Sequence, residues 1–73
     1  MSIERLNRVL WRLRKRNPEK KEIKLLELQQ AIMHECGTDP STIQRNKKAL
    51  VKLGWVTSQG KKIRLTDKDL TEN

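Results

Sequence analysis

Tyrosine and phenylalanine are absent from this 73-residue chain, and cysteine occurs once, at position 36. With Trp11 and Trp55 as the only aromatics and 34% hydrophobic residues, a core must be assembled from Leu, Ile and Val at periodic positions. A single cysteine excludes an intramolecular disulfide and a multi-cysteine zinc site, and fits a reducing cytoplasm. The three glycines are scattered at 37, 54 and 60, so there is no glycine-rich phosphate loop. No stretch is apolar for long enough to cross a membrane, and the N-terminus lacks the apolar segment of a signal peptide, so a soluble cytoplasmic protein is expected. The length allows one small domain over residues 1–73, near the lower limit for a core without staples and too small for a large catalytic cleft.

The most informative scarcity is of negative charge. Lys and Arg number 17 against 9 Asp and Glu, a net charge of +8 with a pI near 10.2. From Ser41 to Thr66 there are seven cations (45, 47, 48, 52, 61, 62, 64) and no acid. A merely solvated face usually mixes signs. The expected partner is therefore a polyanion, nucleic acid ahead of an anionic membrane surface.

Apolar residues at Ile3, Leu6, Leu10 and Leu13 recur at helical spacing, which predicts a first helix within residues 1–17, with Ser2 as N-cap and Asn17-Pro18 as its end. Arg5, Arg8, Arg12 and Arg16 fall on one flank of it, either a phosphate-contacting ridge or a solvated face whose stems cover the core. Trp11 lies off the apolar stripe, to pack on the C-terminal half or to mark a dimer contact. Within residues 23–36, Leu25 or Leu26 to Cys36 reads as a second helix, with or without a short strand at Ile23 to Leu25 before it, Leu28, Ala31, Ile32 and Cys36 facing inward and Gly37 as the stop. Asp39 is a good N-cap and Pro40 suits the first helical position, so a third helix is expected within 39–54, with Gly54 just past its end. Two helices joined by so short a turn form a helix-turn-helix. "WVTS" and "KIRL" flank "QGK", which predicts a β-hairpin within 55–66, its tip at Gly60, Lys61 and Lys62. The fold class expected is mainly α: three helices plus a two-stranded wing.

"STIQRNKKALVKLGWV", followed by "IRLT" with Asp67 and Lys68, resembles the recognition helix and wing of the winged helix-turn-helix family, in particular MarR-like and related bacterial and archaeal regulators. The resemblance covers about residues 23–68. It implies a DNA-binding transcription regulator, cytoplasmic and associated with the nucleoid. Lys47 stands where that family often carries an aliphatic, the wing is short, and the long flanking helices used for dimerisation and ligand binding are missing. A homodimer is therefore compatible with the resemblance without being called for. So minimal a domain also looks like the stand-alone regulators of archaeal viruses and plasmids.

On the third helix Ile43, Asn46, Leu50 and Leu53 project to one side, while Ser41, Gln44, Arg45, Lys48 and Lys52 fall within an arc of roughly 100° on the other. Arg45 can be bidentate to guanine O6/N7 and Gln44 to adenine N6/N7. Ser41 and Thr42 can donate to phosphate or base edges, helped by free amides at the helix N-terminus. Lys48 and Lys52 suit backbone phosphates, and Gly60, Lys61 and Lys62 at the wing tip would reach the neighbouring backbone. The expected partner is double-stranded DNA.

Chemistry has little to stand on. His34 and Cys36 are two apart on a helix and do not share a face, which opposes both a metal pair and a Cys–His dyad. Glu27 and Glu35 read as isolated surface carboxylates. No catalytic, metal or cofactor site is expected. Three other binding readings stay open: a non-specific or architectural DNA-binding protein; a winged helix for structured RNA, using the Arg flank of the first helix; and a protein-interaction module with Trp11 and Trp55 exposed as anchors.

Overall fold

The computed structural model describes residues 3–68. In chain order the elements are α1 (Ile3–Arg16), β1 (Glu22–Lys24), α2 (Leu25–Cys36), α3 (Pro40–Lys52), β2 (Val56–Gln59) and β3 (Lys62–Leu65). The Ser2 cap expected for α1 lies outside the described residues.

The apolar stripe of α1 is Leu6, Val9, Leu10 and Leu13, all buried. Ile3, expected on it, is exposed, and Val9, overlooked in the sequence, takes part because positions 6, 9, 10 and 13 complete the i, i+3, i+4, i+7 pattern. Asn17 ends the helix as expected. Its amide N–H reaches the carbonyls of Leu13 and Arg14 at 3.1 and 3.2 Å. Its side chain donates to Leu13 O at 3.0 Å and to Glu27 Oε2 on α2 at 2.9 Å, so Glu27 is not the isolated carboxylate expected.

A three-residue strand does precede α2, one residue earlier than the 23–25 considered from sequence. That strand corrects the two-stranded wing: the sheet has three antiparallel strands in the order β1-β3-β2, with Ile23 opposite Ile63 and Ser58 opposite Ile63 on the other side. One buried residue, Ile23, between exposed Glu22 and Lys24 is too little alternation to settle from sequence whether a strand precedes the helix, or that it joins the wing. Its pairing is fixed by a partner forty residues away in the chain. Leu65 N–H donates to Lys21 O, and Leu25 N–H to Lys61 O at 2.9 Å, closing the two ends of the β1–β3 ladder.

The inner face of the sheet contributes Ile23, Val56, Ile63 and Leu65 to a core completed by the α1 stripe, by Leu28, Ala31 and Ile32 of α2, and by Leu50 of α3. Trp55 is 5% exposed and belongs to this core, which removes it as a surface anchor. Its burial follows from the α3–β2 turn. Gly54, at φ +78°, lets the chain reverse just past Leu53, and Trp55 N–H returns to Leu50 O at 3.1 Å. Thr66 fastens the other end, its hydroxyl within 2.7 and 2.8 Å of the carbonyls of Gly54 and Trp55.

Candidate nucleic-acid interface

α3 is built for a fixed orientation. Asp39 Oδ1 accepts from Ser41 N–H at 3.1 Å, and Pro40 fills the first turn, where a missing N–H costs nothing. Asn46 is 6% exposed and donates to Thr42 O at 2.7 Å, which satisfies its amide against its own helix. Leu50 is fully buried one turn later, and Ile43 is half-buried. Leu53, expected inward, is 40% exposed: it is the C-cap, where the backbone is already turning away from the core.

With that face inward, Ser41, Gln44, Arg45, Lys48 and Lys52 are all exposed, and the structure brings them onto one outward arc. Thr42 is half-buried at its edge, and so is Lys47. Lys52 borders a shallow apolar groove formed with Ile3, Leu6, Ala49 and Leu53, so it sits at the limit of the arc. Among the described residues, none of Gln44, Arg45, Lys48, Lys52 and Lys61 has its side chain engaged by another residue.

The N-terminal turn is less open than the sequence suggests. The Ser41 amide and hydroxyl both donate to Asp39 Oδ1, each at 3.1 Å, and Ile43 N–H goes to Asp39 O at 3.0 Å. Pro40 has no N–H to offer, so Thr42 N–H is the amide of that turn left for an outside acceptor.

The wing tip is the two-residue turn Gly60-Lys61 between Gln59 and its partner Lys62. Gly60 has φ +62° and Lys61 does not have positive φ, the arrangement of a type II′ hairpin with glycine first. Lys62 is therefore not a tip residue. It opens β3, the central strand, and stands directly opposite Lys24. Like charges so paired repel, and Glu22 Oε1, 3.9 Å from Lys62 Nζ, offsets this only in part. The outer face of the sheet thus carries Lys24, Lys62 and Arg64 with Glu22 as the acid among them. Lys24 could not be joined to this group from sequence, because only strand register brings it beside Lys62.

α1 behaves differently. Glu35, near the end of α2, accepts from Arg12 Nη2 at 3.1 Å and from Arg8 Nε at 3.3 Å, which corrects its reading as an isolated carboxylate. The Arg12 hydrogen bond, joined by that from Arg8, holds its carboxyl below the usual range against burial that pushes it up. A lowered carboxyl pKa contributes stability that is present above the unfolded-state value and is lost as pH falls through the folded-state value. The melting temperature is thus expected to drop as pH falls below about 4, and Glu35→Gln to flatten that acid limb at a cost of about 1 kcal/mol at neutral pH. Thermal melts of both proteins across pH check this; identical acid limbs would remove Glu35 from the effect.

His34 is exposed, and burial pushes the Cys36 thiol up, which disfavours the thiolate needed for metal binding or attack. Among the described residues no group of three or more His, Cys, Asp or Glu could hold a metal ion. Among the described residues no helix is long and apolar enough to cross a membrane.

A short-turn helix pair with a polar, basic, unpaired outer face and a basic wing beside it is a nucleic-acid-binding arrangement. Comparison with known proteins agrees on the architecture. No curated protein and no solved structure matches the chain. A family model described as the Crp-like helix-turn-helix domain matches residues 4–70, from the first turn of α1 to beyond the wing. The match supports the helix-turn-helix part of the sequence resemblance and not its MarR-like detail. The chain belongs to the Crp-like helix-turn-helix domain family, a family of DNA-binding domains.

Proposed function

We propose that the protein is a sequence-specific regulator of transcription on double-stranded DNA, docking α3 in the major groove and its wing on the adjacent backbone. The observation that carries this is the contrast between two basic surfaces. On α3 and at the wing tip the cations face solvent without an acid between them, whereas on α1 Arg8 and Arg12 are held by Glu35. The same contrast disfavours a reading in which the Arg flank of α1 grips RNA.

In this reading Arg45 and Gln44 read base edges, Ser41 and Thr42 serve the near end of the helix, and Lys48 and Lys52 neutralise phosphates. Gly60 lets the wing turn tightly enough to set Lys61 against the neighbouring backbone, and Lys62 reaches it from the sheet. The protein would then act on the nucleoid.

Selection from a pool of random duplex DNA at physiological salt tests the reading. An enriched motif is expected, and inverted repeats about one helical turn apart would mean that two copies bind. Strong retention without enrichment would make the protein a backbone-binding architectural factor, and no retention at all would overturn DNA as the partner. Lys61→Ala is expected to weaken selected and random duplexes alike and to lower the slope of log K against log salt by about one. An unchanged slope would place Lys61 off the DNA.

A further inference from the structure

Arg8, Trp11, Arg12 and Lys15 are spaced i, i+3, i+4, i+7, the pattern of one continuous helix stripe, yet on α1 this stripe is not the buried one. It borders Glu35 of α2 along a shallow groove. Trp11 is 49% exposed, the second most exposed of the large apolar side chains after Leu26 among the described residues. The DNA-binding reading makes no use of this surface.

Trp11 is also held in place. The Arg14 guanidinium lies over its ring, 4.9 Å from the centroid. Arg14 Nη2 in turn donates to Thr66 O at 2.7 Å and Lys68 O at 3.1 Å, so the cation that covers the indole is anchored to the chain leaving the wing. An exposed indole fixed from behind has already lost the side-chain freedom that binding would otherwise remove. Tryptophan and arginine are the residue types most enriched among the few that dominate protein–protein contacts.

We infer that the Trp11 stripe of α1 is a second binding surface, separate from α3 and the wing, for an acidic segment of another protein that places one apolar side chain against the indole. Charge complementarity selects that partner. Arg8 and Arg12 already take a carboxylate as their ligand, in contacts of 3.3 and 3.1 Å, and Lys15 beside them extends the positive stripe. Glu35 neutralises part of this charge, which suits a short segment bringing one or two carboxylates to Arg8, Arg12 and Lys15 rather than the continuous charge of a phosphate backbone. A peptide carboxylate can bind around Glu35, sharing the outer faces of the two guanidiniums, while the apolar residue covers the indole. A second copy of this chain is a poor occupant, since each copy carries a net charge of +8. A regulator built this way can hold DNA with one face and an acidic protein with another.

The test is a selection of displayed random twelve-residue peptides on the full chain saturated with duplex DNA. Recovered peptides are expected to carry several Asp or Glu around one Leu, Phe or Met, and to quench or blue-shift the Trp11 emission, which Trp55→Phe isolates. Trp11→Ala is expected to weaken a selected synthetic peptide at least tenfold. Arg8→Gln and Lys15→Gln should weaken it by smaller factors that shrink with salt. DNA affinity should be unchanged in all three variants, and unchanged melting curves for these exposed positions show that the fold is kept. Because the DNA is measured separately, loss of the DNA-binding reading would leave the peptide result standing, and the reverse. The inference is overturned if no peptide is retained, if the retained peptides are not acidic, if Trp11→Ala binds them equally, or if single-stranded oligonucleotides quench Trp11 more strongly than the peptides do.

Discussion

Leu50→Ala is expected to cost about 3 kcal/mol of stability, within the range for truncating a fully buried leucine, and to leave the protein largely unable to hold DNA at 37 °C. Leu50 has no exposed surface and faces the core beside Trp55, whose amide bonds to its carbonyl at 3.1 Å. A domain of this size has roughly 4–10 kcal/mol to lose in all. The melting temperature should accordingly fall by roughly 10–25 °C. The functional consequence is direct, because the arc of α3 is oriented only by the inward face that Leu50 anchors. Leu53→Ala is the matched control: three residues on and 40% exposed, it should cost well under 1 kcal/mol. Equal effects of the two substitutions in thermal or urea unfolding would mean that α3 does not pack by this face.

That pair of leucines also shows what the sequence made legible. α3 could be delimited closely because its start and stop are local chemistry: an Asp whose carboxylate reaches the amide two residues on, a proline with no N–H to lose, and a glycine at φ +78°. The outward arc followed from those ends and from helical geometry, and Ser41, Gln44, Arg45, Lys48 and Lys52 are exposed together. What misled was whatever depends on distant residues. Leu53 satisfies the apolar period of α3, but it falls where the chain leaves the helix. Trp55, between Gly54 and Val56, is buried because the turn at Gly54 folds it back onto the core. The third strand and the position of Lys62 rest on a pairing between residues about forty apart, and the carboxylate of Glu35 is claimed by guanidiniums 23 and 27 residues earlier. None of these partners leaves a signal in the local pattern.

Arg45→Ala is the substitution expected to act most strongly on recognition itself. Arg45 lies midway along the exposed arc, one turn beyond Ser41 and one turn before Lys48, with no engagement among the described residues. A guanidinium so placed can present its two parallel N–H groups to guanine O6 and N7, a contact that discriminates by about 1–3 kcal/mol, or roughly 5- to 150-fold in affinity for the selected site. On random duplex the same side chain offers only its charge, so the loss there should be severalfold at most. Arg45→Lys separates the two contributions: it keeps the charge but cannot form the planar fork, so random-duplex affinity should hold while the selected site stays weakened. The fold should be unaffected, since the position is exposed and alanine is the stronger helix former. Lys48→Ala gives the opposite signature, similar losses on both duplexes and a smaller salt slope. Fluorescence anisotropy on selected and random duplexes across a salt series reads all three variants. If Arg45→Ala loses equally on both DNAs, Arg45 is a phosphate contact and specificity has to come from Gln44 and the near end of α3, where the Thr42 amide is the remaining open donor.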